Sequence, residues 1–149
     1  MQKSYLALGC FWKPEEVFRQ LTGVIETEVG YAGGLSSSTN YEEVCTGKTG
    51  HTEAVKITYD EKIISYEKLL EVFFKIHDPT QKDMQYPDVG TQYRSEIFYD
   101  NEQQKNIAEK YKNLFNEKFD GKIETNISII KNYCKAEEYH QKYIMKRNQ

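Results

Sequence analysis

Cys10 is the residue best suited to chemistry, because it stands in the segment Gly9–Trp12, which reads GCFW. The apolar run from Tyr5 to Leu8 before it and Pro14 after it indicate a buried strand that turns into a helix. A thiol at a helix N-terminus is stabilised as the thiolate by free backbone N–H groups and by the helix dipole. The two rings next to the sulfur are suited to hold a thioether-like methyl group. The alternative interpretation is an ordinary core cysteine packed between aromatic rings.

Four other segments combine glycine, tyrosine and charged residues in unusual ways. They are Gly30–Gly34 (GYAGG), Tyr41–Gly47 (YEEVCTG), Gly50–Val55 (GHTEAV) and Asp88–Ser95 (DVGTQYRS). Taken alone, Glu53 indicates a solvated carboxylate at the end of a strand, and a single tyrosine indicates a half-buried ring. The four segments together with GCFW distinguish one protein family from others far better than any one segment does.

This set of segments resembles the A-type peptide methionine sulfoxide reductases, whose motifs GCFW, GYAGG, YEEVC-G-TGH-EAV, HDPTQ, GTQYRS and AEEYHQ occur here in the same order. The resemblance extends from Tyr5 to Tyr143. It implies a ferredoxin-like α/β plait and the thiol-dependent reduction of methionine-S-sulfoxide, free or in proteins, as repair of oxidative damage. The other sulfur epimer is the substrate of the B-type enzymes.

The resemblance also implies catalytic roles for four residues. Cys10 attacks the sulfoxide sulfur, Glu53 donates a proton to the sulfoxide oxygen, and the hydroxyl groups of Tyr41 and Tyr93 hold that oxygen. A sulfoxide oxygen leaves poorly until it is protonated, whereas its sulfur is a soft electrophile, so an acid and a soft nucleophile are both required. Glu53 meets this requirement only if burial keeps its carboxyl group neutral, and we therefore expect Cys10 and Glu53 to titrate as a coupled pair.

Three further residues match the substrate pocket of that family. Phe11 and Trp12 match the residues that enclose the methyl group, and Asp88 matches a polar residue that lines the cleft. Glu137 is a candidate for buried support near the site. His51, His77 and His140 lack the spacing of metal ligands, so no metal is assigned and each is expected to form local hydrogen bonds.

Attack by Cys10 leaves a sulfenic acid that a thiol has to reduce before the next turnover. Many family members carry resolving cysteines in a Gly-rich C-terminal tail, which is not seen after Ile144. Cys134 and Cys45 are possible resolving residues. We favour an external thiol, either glutaredoxin with glutathione or thioredoxin, and expect no bound cofactor.

Two other functions fit parts of the pattern. A one-cysteine peroxidase would use Cys10 against hydroperoxides, although the adjacent aromatic pair argues against it. A non-catalytic module that binds oxidised methionine would need the aromatic pocket but not the thiol. Replacing Cys10 by serine separates the enzyme from the binding module.

The composition limits the cellular context. The net charge of −3 without a basic stripe argues against nucleic acid as a partner. No apolar run is long enough for a signal peptide core or a membrane span, so we expect a cytoplasmic protein. Three cysteines without a C-x-x-C pair argue against a disulfide scaffold and against a four-ligand zinc site.

The elements predicted around these residues make one α+β domain over residues 1–149, with a central mixed sheet flanked by helices. Alternating residues predict a strand over Val24–Tyr31, with Ile25 among the inward positions, and others at 55–59, 95–99 and 127–130. Helices are predicted from Ser65 to His77, from a cap at Asp100, and over Ala136–Lys146. The long irregular segments Gly30–Gly50 and Asp78–Tyr93 are expected to be functional loops.

Overall fold

The computed structural model describes all residues from Met1 to Gln149 and contains eight strands and five α-helices. In chain order the elements are β1 (Gln2–Leu8), α1 (Trp12–Arg19), β2 (Val24–Ala32), α2 (Tyr41–Cys45), β3 (Thr52–Tyr59), α3 (Tyr66–Lys75), β4 (Met84–Gln85), β5 (Asp88–Val89), β6 (Ser95–Tyr99), α4 (Glu102–Lys118), β7 (Asn126–Ile129), β8 (Cys134–Lys135) and α5 (Tyr143–Arg147). Short 3-10 turns cover Thr91–Tyr93 and Glu138–His140.

Six strands form one sheet in the order β7-β6-β1-β3-β2-β8, and β4 pairs with β5 in a separate hairpin. The inner four strands follow the connectivity β1-α1-β2-β3-α3-β6, and each pair among them is antiparallel. This is the ferredoxin-like plait. The pair β6–β7 is parallel and makes the sheet mixed. The predicted fold class, a single α+β domain with helices flanking a mixed sheet, is confirmed.

Most of the apolar core lies between the sheet and the helices, in a cluster of 21 buried residues. Helix α3 shows why the sequence folds in this way. The Ser65 hydroxyl caps its N-terminus by accepting from the N–H of Lys68, and Leu69, Leu70, Phe73 and Phe74 are buried against the sheet and α4. A smaller cluster of five residues on the opposite face contains Tyr5 and Phe98.

Three local predictions, in α3, α4 and β2, were wrong. Helix α3 ends at Lys75 rather than His77, and α4 is capped by Asn101, whose side chain accepts from the N–H of Gln104, rather than by Asp100. Ile25 is 56% exposed instead of facing the core. The register between β2 and β3 shifts at this point, and such an irregularity turns a side chain to the other face.

The segment Ala136–Lys146 is not one helix. Gln141 is extended and Lys142 is left-handed with φ 52°, so the 3-10 turn and α5 are separated. The Gln141 side chain bonds to both backbone groups of Val29, and the N–H of Lys142 donates to buried Glu15. These tertiary hydrogen bonds favour the interruption over a continuous helix.

Candidate active site

Cys10 follows β1 after Gly9 and directly precedes Phe11, which occupies the N-cap position of α1. The turn depends on Gly9, whose φ of +97° favours glycine. A Cβ at this position would also lie 2.9 Å from Gln85 of the β4–β5 hairpin. The turn and the hairpin therefore pack closely together, and Cys10 is only partly buried.

The helix start stabilises the Cys10 thiolate less than other effects oppose it. Burial raises the pKa of Cys10 to about 11, and the negative charges of Glu53 and Asp88 add to this effect. The backbone N–H of Trp12 lowers the pKa of Cys10, as a helix N-terminus should, but it does not compensate. Cys10 is therefore a protonated thiol at neutral pH.

Glu53 lies in β3 opposite Tyr31 of β2 and is only 2% exposed. Its Oε1 accepts a hydrogen bond of 3.2 Å from the backbone N–H of Phe11, the residue after Cys10. Burial raises the pKa of Glu53 to about 8, with a smaller contribution from Asp88. The carboxyl group is consequently neutral at physiological pH and able to donate a proton.

Tyr41 and Tyr93 lie near enough to Glu53 for its charge to contribute to their raised pKa values. Tyr41 is the first residue of α2, and its N–H donates to Oε2 of Glu137 over 2.8 Å. The Cys45 thiol raises the pKa of Tyr41 to about 12, and burial, Glu53 and Cys10 contribute in the same direction. Tyr93 ends a 3-10 turn, and burial raises its pKa, followed by the charge of Glu53.

Phe11 and Trp12 form an aromatic wall beside Cys10. Phe11 is 1% exposed, and its ring centroid lies 5.1 Å from that of His140. The indole N–H of Trp12 donates to Nδ1 of His140 over 3.0 Å, while its ring stacks on Tyr143 with a centroid distance of 3.8 Å. The wall is thus held by the C-terminal segment.

Asp88 lies in β5, opposite Gln85 in the hairpin that packs on Gly9. Its charge contributes to the raised pKa values of Cys10, Glu53 and Tyr93. Every residue assigned to the catalytic site or substrate pocket from the sequence therefore falls in one neighbourhood. The arrangement combines a soft nucleophile, a neutral acid, two phenols and an apolar wall.

Comparison with known proteins gives the family. The family model for peptide methionine sulfoxide reductase matches residues 2–149. The chain belongs to the peptide methionine sulfoxide reductase family. A relative from Pelagibacter ubique, the peptide methionine sulfoxide reductase MsrA, is 57% identical over 147 residues, which are 99% of this chain and all of that protein.

Solved structures agree with this membership in the reductase family. The reduced form of Mxr1 from Saccharomyces cerevisiae has a TM-score of 0.95 and 39% identity, covering 99% of this chain and 86% of that one. The same yeast protein in complex with Trx2 has a TM-score of 0.68 and 28% identity, covering 95% of this chain and 84% of that one. The predicted thiol-dependent oxidoreductase activity on methionine sulfoxide is confirmed for the family. Membership in this family favours the reductase activity over the peroxidase and over the binding module.

Two reductase features were not predicted in detail from the sequence. His140 is 2% exposed and packs against Phe11, Trp12, Tyr41 and Tyr139, although only a local hydrogen bond was expected of it. Glu137 links Tyr41 to the Tyr31 hydroxyl, which donates to its Oε1 over 2.8 Å. The AEEYHQ motif carries both residues, but their long-range partners cannot be derived from it.

The two remaining cysteines differ in position. Cys45 is an exposed thiol at the end of α2, next to the Tyr41 hydroxyl. Cys134 begins β8, where its sulfur lies 3.6 Å from the backbone oxygen of Thr39. All three cysteines are free thiols, and no group of three or more His, Cys, Asp or Glu residues is arranged to hold a metal ion. None of the five helices combines the length and the apolarity that crossing a membrane requires.

Proposed function

We propose that this chain reduces methionine-S-sulfoxide with Cys10 as nucleophile, Glu53 as general acid, and Tyr41 and Tyr93 as hydrogen-bond donors to the sulfoxide oxygen. One observation carries the proposal. The N–H of the residue after Cys10 donates to Glu53 Oε1, so the buried acid is fixed beside the nucleophile. The neutral state of that acid at physiological pH supports the same conclusion.

The reaction begins with the substrate methyl group against Phe11 and Trp12. Glu53 donates its proton to the sulfoxide oxygen while the Cys10 sulfur attacks the sulfoxide sulfur. This attack forms a bond between the two sulfurs, and the sulfur–oxygen bond of the substrate breaks as the protonated oxygen leaves with the bonding electron pair. The oxygen then bonds to the Cys10 sulfur while the sulfur–sulfur bond breaks with its electron pair left on the methionine sulfur, so that Cys10 becomes a sulfenic acid and methionine leaves. The proton of the Cys10 thiol replaces the one that Glu53 gave up, so the step is balanced in atoms and electrons.

The high pKa of Cys10 is consistent with this sequence of events. A positioned general acid accelerates a reaction by about 10² to 10⁴. Protonation of the oxygen makes the sulfur more electrophilic, and the loss of the proton from Glu53 creates the base that accepts the thiol proton. A neutral resting pair also avoids the repulsion that an ionised acid and a thiolate would have.

An external thiol protein is the proposed reductant of the Cys10 sulfenic acid. The complex of the yeast relative with Trx2 supports thioredoxin, and glutaredoxin with glutathione is the alternative. Both possible internal resolving residues remain candidates: Cys45 adjoins Tyr41, and Cys134 contacts the backbone of Thr39. A disulfide between Cys10 and either Cys134 or Cys45 after reaction without reductant would contradict direct reduction of the sulfenic acid by an external thiol. A cytoplasmic location stays a prediction from the sequence.

The direct test is turnover of the two separated sulfoxide epimers with dithiothreitol as the only reductant. We expect methionine from the S epimer with the wild-type chain, none with Cys10→Ser, and a loss of about 10² to 10⁴ with Glu53→Gln. Glu102→Gln at the exposed start of α4 is the matched control and should retain full turnover. Equal turnover of both epimers, or an active Cys10→Ser variant, would overturn the proposal.

A further inference from the structure

We propose that Arg94 is a positioning residue that holds the start of β3, which carries Glu53, in register with the 3-10 turn that ends at Tyr93, and that this depends on the planar fork of its guanidinium group rather than on its charge alone. The inference rests on the proposed catalytic roles of those two residues. Arg94 follows Tyr93 directly and precedes β6. No atom of Arg94 needs to touch the substrate for this function.

The guanidinium group bonds to the backbone of the two segments that lead to Tyr93 and to Glu53. Its Nη1 donates to the oxygen of Thr91, two residues before Tyr93, over 2.9 Å. Its Nη2 donates to the oxygen of Gly50, three residues before Glu53, over 3.0 Å. One rigid planar group therefore fixes the distance between the start of β3 and the 3-10 turn.

The same group also lies against the loop that leads to Tyr41. Gly33 has a φ of +80°, and a Cβ at this position would be 3.2 Å from Nη2 of Arg94. Gly33 is thus the point at which the GYAGG loop passes the guanidinium group closely. The segments that lead into β3, into the 3-10 turn of Tyr93 and towards α2 therefore meet at Arg94.

Glu96 sets the orientation of the fork. Its Oε1 accepts from Nε of Arg94 over 2.7 Å, and its Oε2 accepts from the hydroxyl of Ser128 in β7. The two side chains of the ion pair are 14% and 9% exposed, so solvent screens it little. Because Glu96 lies in the paired strand β6, the Arg94 guanidinium group is anchored to the sheet rather than to a loop, and we call this arrangement the clamp.

Only arginine supplies this set of contacts. Its Nε, Nη1 and Nη2 lie in one plane and point in three fixed directions, towards a carboxylate and two carbonyl groups. A lysine ammonium group is a single point on a flexible chain and cannot span the same three acceptors. Loss of the fork should let the loops separate slightly and admit water to Glu53, and a shift of about 1 Å at a catalytic group costs about 10²-fold in rate.

The test measures turnover of the S epimer and its pH profile in Arg94→Lys, which keeps the charge. We expect kcat to fall by at least about tenfold while KM changes by less than about threefold, since the clamp acts on the chemical step rather than on binding. The fall of kcat on the basic side of its pH profile should move to lower pH, because water that reaches Glu53 weakens the effect by which burial raises the pKa of Glu53. The ionisable groups around Glu53 are unchanged in this variant: Cys10, Tyr31, Tyr41, Asp88 and Tyr93.

Arg19→Lys is the matched control, because Arg19 pairs with Glu16 on the outer part of α1. It should retain the wild-type kcat and pH profile. A merely structural role of Arg94 would lower thermal stability without moving the pH profile, and that result would overturn the inference. Wild-type kcat in Arg94→Lys would overturn it as well.

Glu96→Gln is the second test variant, to be used if Arg94→Lys does not fold. It keeps the shape of the side chain and an oxygen acceptor but removes the charge that orients Nε, so we expect the same shift on the basic side of the pH profile with a smaller fall in kcat. An unchanged pH profile of turnover in a folded Glu96→Gln protein would contradict the positioning role of Arg94. Failure of the proposed function is distinguishable, because the wild-type chain would then be inactive, or Glu53→Gln active, in the same assay.

Discussion

The charge of Glu53 should control the reactivity of Cys10 in a way that depends on pH. Two unit charges about 4 Å apart at an effective dielectric constant of about 20 repel by about 4 kcal/mol, and about 1.4 kcal/mol corresponds to one pKa unit. Cys10 is partly exposed, so solvent screens a large part of this repulsion. We therefore expect Glu53→Gln to lower the pKa of Cys10 by about one unit, or about tenfold in thiolate population.

The sign of the effect follows from the two pKa values. Glu53 is neutral below its pKa of about 8, so wild type and Glu53→Gln should react alike with iodoacetamide at neutral pH. Above that value the wild-type carboxylate opposes ionisation of Cys10, whose pKa is about 11. Alkylation of the variant should then become about tenfold faster than that of the wild type.

The assay is the rate of carboxamidomethylation at Cys10, followed by mass spectrometry of the peptide that contains it. Glu102→Gln is the control for loss of a carboxylate elsewhere, and its profile should match the wild type. Rate profiles of wild type and Glu53→Gln that coincide from neutral to alkaline pH would refute the electrostatic coupling. A constant ratio between the two alkylation rates at every pH would indicate that the substitution changes the access of iodoacetamide to Cys10 rather than the charge beside it.

Three further outcomes follow from the structure. Tyr93→Phe should lower kcat by about tenfold through loss of one oxygen-binding hydroxyl, whereas Tyr99→Phe should have no effect on turnover in the same assay. Wild-type kcat should fall as the pH rises through about 8, because Glu53 loses the proton it has to donate, and an activity that increases through this range would contradict its role as acid. Phe73→Ala should lower the free energy of unfolding by about 3 to 5 kcal/mol, measured by denaturant titration, because Phe73 is fully buried beside Phe74.

The chemistry of the site was predictable to the extent that it depends on local segments. The GCFW turn gave the position of Cys10 before α1, and the polar segments identified Glu53, Tyr41 and Tyr93 as candidates through the family resemblance. Helix α3 was predictable as well, since its apolar stripe and the Ser65 cap act within one element. Its end at Lys75 lies two residues from the predicted one.

The features that were not predictable depend on distant partners. The pKa of Cys10 is set by burial and by Glu53 and Asp88, which outweigh the local effect of the helix start. Lys142 adopts a left-handed conformation where its N–H meets Glu15, and the sequence around it favours a continuous helix. Arg94 was part of a recognised segment, but the Gly50 oxygen that accepts from it lies 44 residues away, so this contact could not be derived from the segment.

The central claim is that the oxygen of methionine sulfoxide is transferred to Cys10. The most direct measurement is a single turnover with excess substrate and no reductant, with methionine quantified and sulfenic acid trapped by dimedone. The account predicts about one methionine per chain and a dimedone adduct on Cys10 alone. Methionine formed without oxidation of Cys10, or an adduct confined to Cys45 or Cys134, would contradict it.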